Sequence, residues 1–232
     1  MGISIGGSTA KALFFKRPED TVPNTITRCF FNGVSVFPDL TTAATQPSSA
    51  MTSNTAPSPY TAYYSSVYSS TYAAWKAFQN KIDTRGWASC SANSGKTAWI
   101  ALDLGSRKYI RDVVVKLWNR NNTNVNGPNN ITIYGSNSTP KNGTGSTVTT
   151  MPSATPLGVF TGLSGSTSSR AYVLDTVGST TSNCTRSSGT SYIENSQKEG
   201  YRYIIVSSTS WNQAGGTYLA IGCIKIDGKF NA

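Results

Sequence analysis

The sequence predicts an all-β protein, built as a sandwich or a barrel. Three observations carry that prediction. Short runs of β-prone residues recur along the chain, parted by turn-rich loops. Long stretches with a helical period are absent. Only 13% of the residues are charged, and Ser, Thr, Asn and Gly supply the polar surface instead. Those residues favour turns and strand surfaces over helix interiors. A chain of 232 residues suffices for one large all-β domain, or for one domain and an appendage. At this size roughly 70–75% of the unfolded surface is buried on folding.

Residues 1–40 read as a small separate unit. In "TRCFFNGVSVFP" two β-prone runs flank Asn32-Gly33, and Asn-Gly suits a type I′ turn because both central residues need positive φ. Phe30, Phe31, Val34, Val36 and Phe37 are the apolar residues of this hairpin, and Pro38 stops its second strand. Upstream, "ISIG" and "KALFF" are candidates for further short strands. A lone hairpin is marginal in water, so this unit must pack on something, either the main domain or another protein. Its five apolar residues are the candidate attachment surface.

Residues 41–59, rich in Thr, Ser, Ala and Pro, read as an extended linker or as an ordered loop wrapping the next domain. Residues 60–232 form the main domain. "YAAWKAF", 72–78, reads as a single helical turn or a strand. In "WIALDLG", 99–105, Ile100, Leu102 and Leu104 share one face, while Ala101 and Asp103 share the other. "IRDVVVKLW" repeats the pattern with Val113, Val115 and Leu117 inward, and "NITIYGSN" does so with Ile131 and Ile133. "LGVF", "AYVLDTV", "YRYIIVSS" and "YLAIGCIKIDG" supply the remaining strands.

Composition excludes several classes of function. The net charge is +10, from twenty Lys and Arg against ten acids. The basic residues are scattered, however, with no run longer than the pairs Lys16-Arg17 and Arg107-Lys108. A nucleic-acid footprint clusters on one face or helix, so no nucleic-acid partner is expected. The charge fits a basic surface with mild attraction to anionic cell-surface polymers. The chain has no histidine, which removes Ser-His-Asp and Cys-His catalysis. Cys29, Cys90, Cys184 and Cys223 match no zinc spacing and are expected as buried thiols. The N-terminus has no secretory apolar core, and Gly6 stands where a myristoylation signal needs Ser or Thr. No stretch approaches membrane-spanning length. The expectation is a soluble chain made without a cleavable signal peptide, with no membrane partner.

Asp103 is the acid that raises the question of catalysis. A glycosidase needs two carboxylates facing each other across a cleft. The neighbouring acids in sequence, Asp83 and Asp112, belong to no motif with it. With Gly105 two residues on, a carboxylate here can accept hydrogen bonds from the backbone or from Arg. Asp103 is therefore expected to be scaffold, and no enzyme activity is expected.

The stretches "WKAFQNKIDTRGWAS", "WIALDLGSRKYIRDVVVKLWNR", "NITIYGSN", "YRYIIVS" and "CIKIDG" follow one another in a telling order. That order resembles discoidin-like domains, the coagulation-factor type C family that includes many galactose-oxidase-like carbohydrate-binding modules. The resemblance covers residues 60–230 and implies a jelly-roll-like antiparallel β-sandwich whose loops at one end bind glycans, lipid head groups or proteins. It also implies core positions for Trp87 and Trp99. Many members hold a structural Ca²⁺ through an Asp after Ala-Phe and a Glu in the last strand. Here those positions carry Gln79 and Cys223. Calcium prefers several hard, mostly anionic oxygens. Asp83 is a substitute from the same loop, but a conventional site is disfavoured and no cofactor is expected.

Sugar sites combine an aromatic platform with Asn, Arg or Asp side chains for the hydroxyls. "KLWNRNNTNVNGPNN" offers Trp118, Asn119, Arg120 and Asn122, and resembles the "Tyr-Asn-Arg-x-Asp" corner of fucose-binding relatives, with Asn122 where Asp is usual. Trp211, in a polar Gly-rich loop, is the candidate exposed platform. Tyr60, Tyr63 and Tyr64 are candidates for a protein contact. The N-terminal unit resembles the short β-units of bacteriophage virion proteins. Together these resemblances imply a virion tail, fibre or decoration protein. Its partners would be other virion proteins, a further copy of the chain and bacterial surface polysaccharide. Two alternatives are a purely structural decoration protein and a bacterial carbohydrate-binding module.

Overall fold

The computed structural model describes residues 3–5, 8–10, 30–31, 34–35, 43–79, 86–91, 97–108, 112–117, 126–144, 147–163, 170–175, 185–188, 200–212 and 217–229. The strands are β1 (Ile3–Ile5), β2 (Ser8–Ala10), β3 (Phe30–Phe31), β4 (Val34–Ser35), β5 (Ala43–Gln46), β6 (Thr61–Tyr64), β7 (Trp87–Ala88) and β8 (Ala98–Lys108). They continue as β9 (Asp112–Leu117), β10 (Ile131–Ser136), β11 (Thr155–Thr161), β12 (Arg170–Asp175), β13 (Thr185–Ser188), β14 (Tyr201–Ser208), β15 (Ala220–Ile221) and β16 (Cys223–Lys229). The only helical pieces among the described residues are two 3₁₀ turns, Ser70–Tyr72 and Ala74–Phe78. The "YAAWKAF" stretch is thus a helical turn and not a strand.

Two antiparallel sheets make the domain an all-β sandwich. One has six strands in the order β13-β11-β10-β14-β8-β6, the other four in the order β12-β9-β16-β5. The period-2 alternation of the sequence sets which residues face inward. Ile100, Leu102 and Leu104 of β8, Ile131 and Ile133 of β10, Ile204 and Val206 of β14, and Ile224 and Ile226 of β16 meet in one core. Trp87 joins them, as expected. A one-residue slip of any of these strands would turn its aliphatic set to the other face.

The outer face of the six-stranded sheet is covered too. Trp99, Ala101 and Ile205 form a second cluster with Tyr63, Tyr134, Met151 and Ala154. The segment 137–154 holds this cover down. Thr149 N–H donates to Ser65 O at 3.0 Å, Trp99 Nε1 to Thr149 O at 3.1 Å, and Ser136 Oγ to Ser153 O at 2.6 Å. β8 is consequently buried on both sides from Ala98 to Leu104. The simple in-and-out reading of "WIALDLG" understates this, because Ala101 and Asp103 are as enclosed as their neighbours.

Residues 43–59 include a strand of the four-stranded sheet and a buried side chain. β5 pairs with β16, Gln46 opposite Ile226, and Met51 is fully buried. Tyr60 is also internal. Its hydroxyl donates to Gln46 Oε1, accepts from Ser48 N and lies 3.0 Å from Ser48 Oγ. In the N-terminal unit, β1 pairs with β2, and β3 with β4 in the register Phe30–Ser35 and Phe31–Val34. Asn32 and Gly33 of the expected turn lie outside the described residues. Val36, Phe37 and the "KALFF" run lie outside the described residues.

Gly105 lies inside β8 and does not end it. Its φ is +79°, and a Cβ there would stand 2.4 Å from Pro59 Cβ. Both the left-handed backbone and the approach of Pro59 require glycine. Gly105→Ala should therefore destabilise the chain by about 1–3 kcal/mol through backbone strain alone. Calorimetry checks this, and an unchanged melting temperature would contradict the tight approach.

Candidate functional site

Asp103 faces Arg202 on β14. Arg202 Nε donates to Asp103 Oδ1 and Nη2 to Oδ2, each at 2.9 Å. Gly105 N–H donates to Oδ1 at 2.8 Å. The Asp103 side chain is 4% exposed and that of Arg202 45% exposed. The hydrogen bond to Asp103 holds the Arg202 guanidinium above its usual range. Nearby, burial foremost, then the negative charge of Asp103, raises the Tyr63 phenol above the ordinary tyrosine range. Tyr63 packs edge-on against Tyr203 at 6.1 Å between ring centroids. With both carboxylate oxygens engaged and the group enclosed, Asp103 is a structural ion-pair partner, as its spacing to Gly105 implied. Of the three tyrosines expected as a protein contact, Tyr60 is buried in the domain, while Tyr63 and Tyr64 are half-buried, Tyr64 packed against the main core and Tyr63 against the second cluster.

The other end of β8 is where chain segments converge. β6 and β14 end there, and β8 and β10 begin there. A run of backbone hydrogen bonds ties five segments side by side. Tyr68 N–H donates to Ala88 O at 2.8 Å, and Ser89 N–H to Leu219 O at 2.9 Å. Ala220 N–H donates to Asn126 O at 2.9 Å, and Asn212 N–H to Gly127 O at 3.0 Å. Pairing of Ala88 with Ala220 and of Pro128 with Trp211 completes the ladder. β9 ends at Leu117 beside the start of β16, and the chain re-enters at Asn126. Trp118, Asn119, Arg120 and Asn122 fall between Leu117 and Asn126 in the sequence. Those four residues, and Asp83, lie outside the described residues.

Trp211 corrects an expectation. It was predicted as an exposed platform, yet it is 5% exposed and packs into the main core. Its pairing with Pro128 pulls the ring beneath the ladder, where Leu219 and Ile221 offer apolar contact and a solvent-facing position does not. Pairing also puts Asn126, two residues before Pro128, on the same face as Trp211. The indole Nε1 of Trp211 and both side-chain polar atoms of Asn126 are buried without hydrogen-bond partners. Such groups each cost about 1–3 kcal/mol.

The exposed aromatic of this end is Tyr68, at 48%. No pattern in "SSVYSSTY" marks it, because its contacts come from Tyr72 and from Tyr218, far along the chain.

The residues at the implied calcium position do not fit that ion. Gln79 follows the Ala74–Phe78 turn, and its Oε1 is buried without a hydrogen-bond partner. That atom is a neutral amide oxygen. Cys223 is a buried thiol between Ile221 and Ile224. Among the described residues no three His, Cys, Asp or Glu side chains gather. Calcium takes 6–8 oxygens, several of them carboxylate, and this pair offers one neutral oxygen and a sulfur.

No family model matches the chain. No curated protein matches it either. Among solved structures, it is similar to a Clostridium perfringens family 32 CBM crystallised with GalNAc-beta-1,3-galactose, at 12% identity and TM-score 0.44, covering 72% of this chain and 94% of that one. It is also similar to a fucolectin from striped bass, Morone saxatilis, at 17% identity and TM-score 0.44, covering 73% and 46%. A third is an F5/8 type C domain from Bacteroides fragilis, at 11% identity and TM-score 0.39, covering 74% and 93%.

Two outcomes follow from this geometry. Trp211→Ala should lower stability by about 3–5 kcal/mol, as for a large core aromatic. Urea denaturation measures it, and an unmoved midpoint would mean the ring is not packed. The melting temperature should be the same in excess EDTA and in excess calcium chloride. A rise with calcium would show that a full oxygen shell assembles after all.

Proposed function

We propose that the sandwich is a non-enzymatic glycan-binding module of a bacteriophage virion protein, with its ligand-binding face at the loop end and bacterial surface polysaccharide as its ligand. One observation carries the reading. β9 ends beside the start of β16, and Asn126 and Trp211 stand on the hydrogen-bonded ladder, so the stretch bearing Trp118, Asn119, Arg120 and Asn122 falls in the sequence between two points of this end of the sandwich. That stretch combines an aromatic, a guanidinium and several amides, the combination that meets a sugar's apolar face and its hydroxyls. The net charge of +10 favours anionic polymers.

Residues 1–40 are the proposed attachment unit for other virion proteins. β1 pairs with β2 and β3 with β4 over two or three residues each, ribbons too short to be stable alone. Their resemblance to phage β-units supports this role.

The test is binding of the whole chain to a printed array of bacterial polysaccharides and to bacterial envelopes. Trp118→Ala and Arg120→Ala should each weaken binding at least about tenfold, the effect of losing roughly 1.4 kcal/mol. If the unaltered chain shows no signal on any envelope, the glycan reading falls, and a decoration protein held by protein contacts takes its place.

A further inference from the structure

We propose that Tyr68 is the aromatic surface on which a sugar ring of the ligand stacks, a role that Trp211 is too enclosed to fill. The inference rests on the glycan-binding reading and names a contact residue within it. Tyr68 is the exposed large hydrophobic residue among the described ones, at 48%. Two other rings fix its orientation. Tyr72 meets it at 5.9 Å between centroids and 67° between planes, and Tyr218 at 5.0 Å and 42°. Tyr72 and Tyr218 are themselves packed with Ala88 and Ala220. The Tyr68 backbone is tied to Ala88 O on the ladder.

The ring is therefore held before any ligand arrives. Side-chain ordering costs about 0.5–1.5 kcal/mol per immobilised group on binding, and a braced tyrosine has little of that freedom left to lose. Its surroundings fit a sugar better than a protein. A stable protein interface takes about 800 Å² per partner around a desolvated apolar centre. Tyr68 is instead a single ring beside the exposed hydroxyl residues Ser70 and Thr71. One pyranose has a matching size, with C–H bonds for the ring and hydroxyls for its flanks.

The experiment uses the whole chain on the same polysaccharide array, with Tyr68→Ala and Tyr68→Phe beside the unaltered protein. Tyr68→Ala should weaken binding at least about tenfold, and Tyr68→Phe should keep it. A second readout avoids any folding defect. Tyrosines of the unaltered protein are acetylated with N-acetylimidazole, with and without the array's bound polysaccharide, and mapped by mass spectrometry. Tyr68 should be modified alone and protected by polysaccharide, while buried Tyr203 is modified in neither case. If the chain binds, yet Tyr68→Ala binds as well and Tyr68 is not protected, this inference is overturned while the glycan reading stands. If the unaltered chain binds no polysaccharide, both fall together.

Discussion

A carboxylate enclosed between two covered sheet faces is tolerable only if N–H donors surround it. Asp103 meets that condition with Arg202 and Gly105. The arrangement ties β8 to β14, neighbours in the six-stranded sheet, at the point where their register shifts between Tyr201 and Tyr203. Arg202 reaches the acid while its outer part stays in water, so the guanidinium keeps much of its hydration. The ion pair, the left-handed Gly105 and the close-packed Pro59 form one unit. Around it the aliphatic residues of β8, β10, β14 and β16 keep their inward faces.

The middle of the large sheet is buried on both sides. On its outer face Trp99, Ala101 and Ile205 are packed under Tyr63, Tyr134, Met151 and Ala154. At one end the backbone forms a hydrogen-bonded ladder across five segments drawn from distant parts of the sequence. Loops on such a base start from fixed positions, and preorganised contacts lose less entropy when a ligand binds.

The same end carries unusual polar chemistry. The amide of Asn126 and the indole N–H of Trp211 lie buried and unmatched, next to the segment with Arg120. Gln79, at the position associated with calcium in the resembling family, leaves an oxygen unmatched as well. A neutral amide there removes the anionic charge that a divalent ion requires.

The sequence by itself determined many of the strands, the inward residues of β8 and β10, and the structural part of Asp103. Alternation at period 2 is a local signal, and it survives in Ile100, Leu102, Leu104, Ile131 and Ile133. The spacing of Asp103 to Gly105 is equally local, and the expected N–H bond is present. Tertiary structure alone decided which aromatics face water. Trp211 and Tyr68 both stand in polar stretches, yet one is buried and the other exposed. Trp211 turns inward through its pairing with Pro128 and its contacts with the core, and Tyr68 is propped outward by Tyr72 and Tyr218. Tyr72 is a near neighbour of Tyr68 in the chain, but Pro128 and Tyr218 are brought in by long-range chain crossings, and no window around Trp211 or Tyr68 contains them. The course of residues 43–59 was decided in the same way, by the pairing of Gln46 with Ile226 at the far end of the chain.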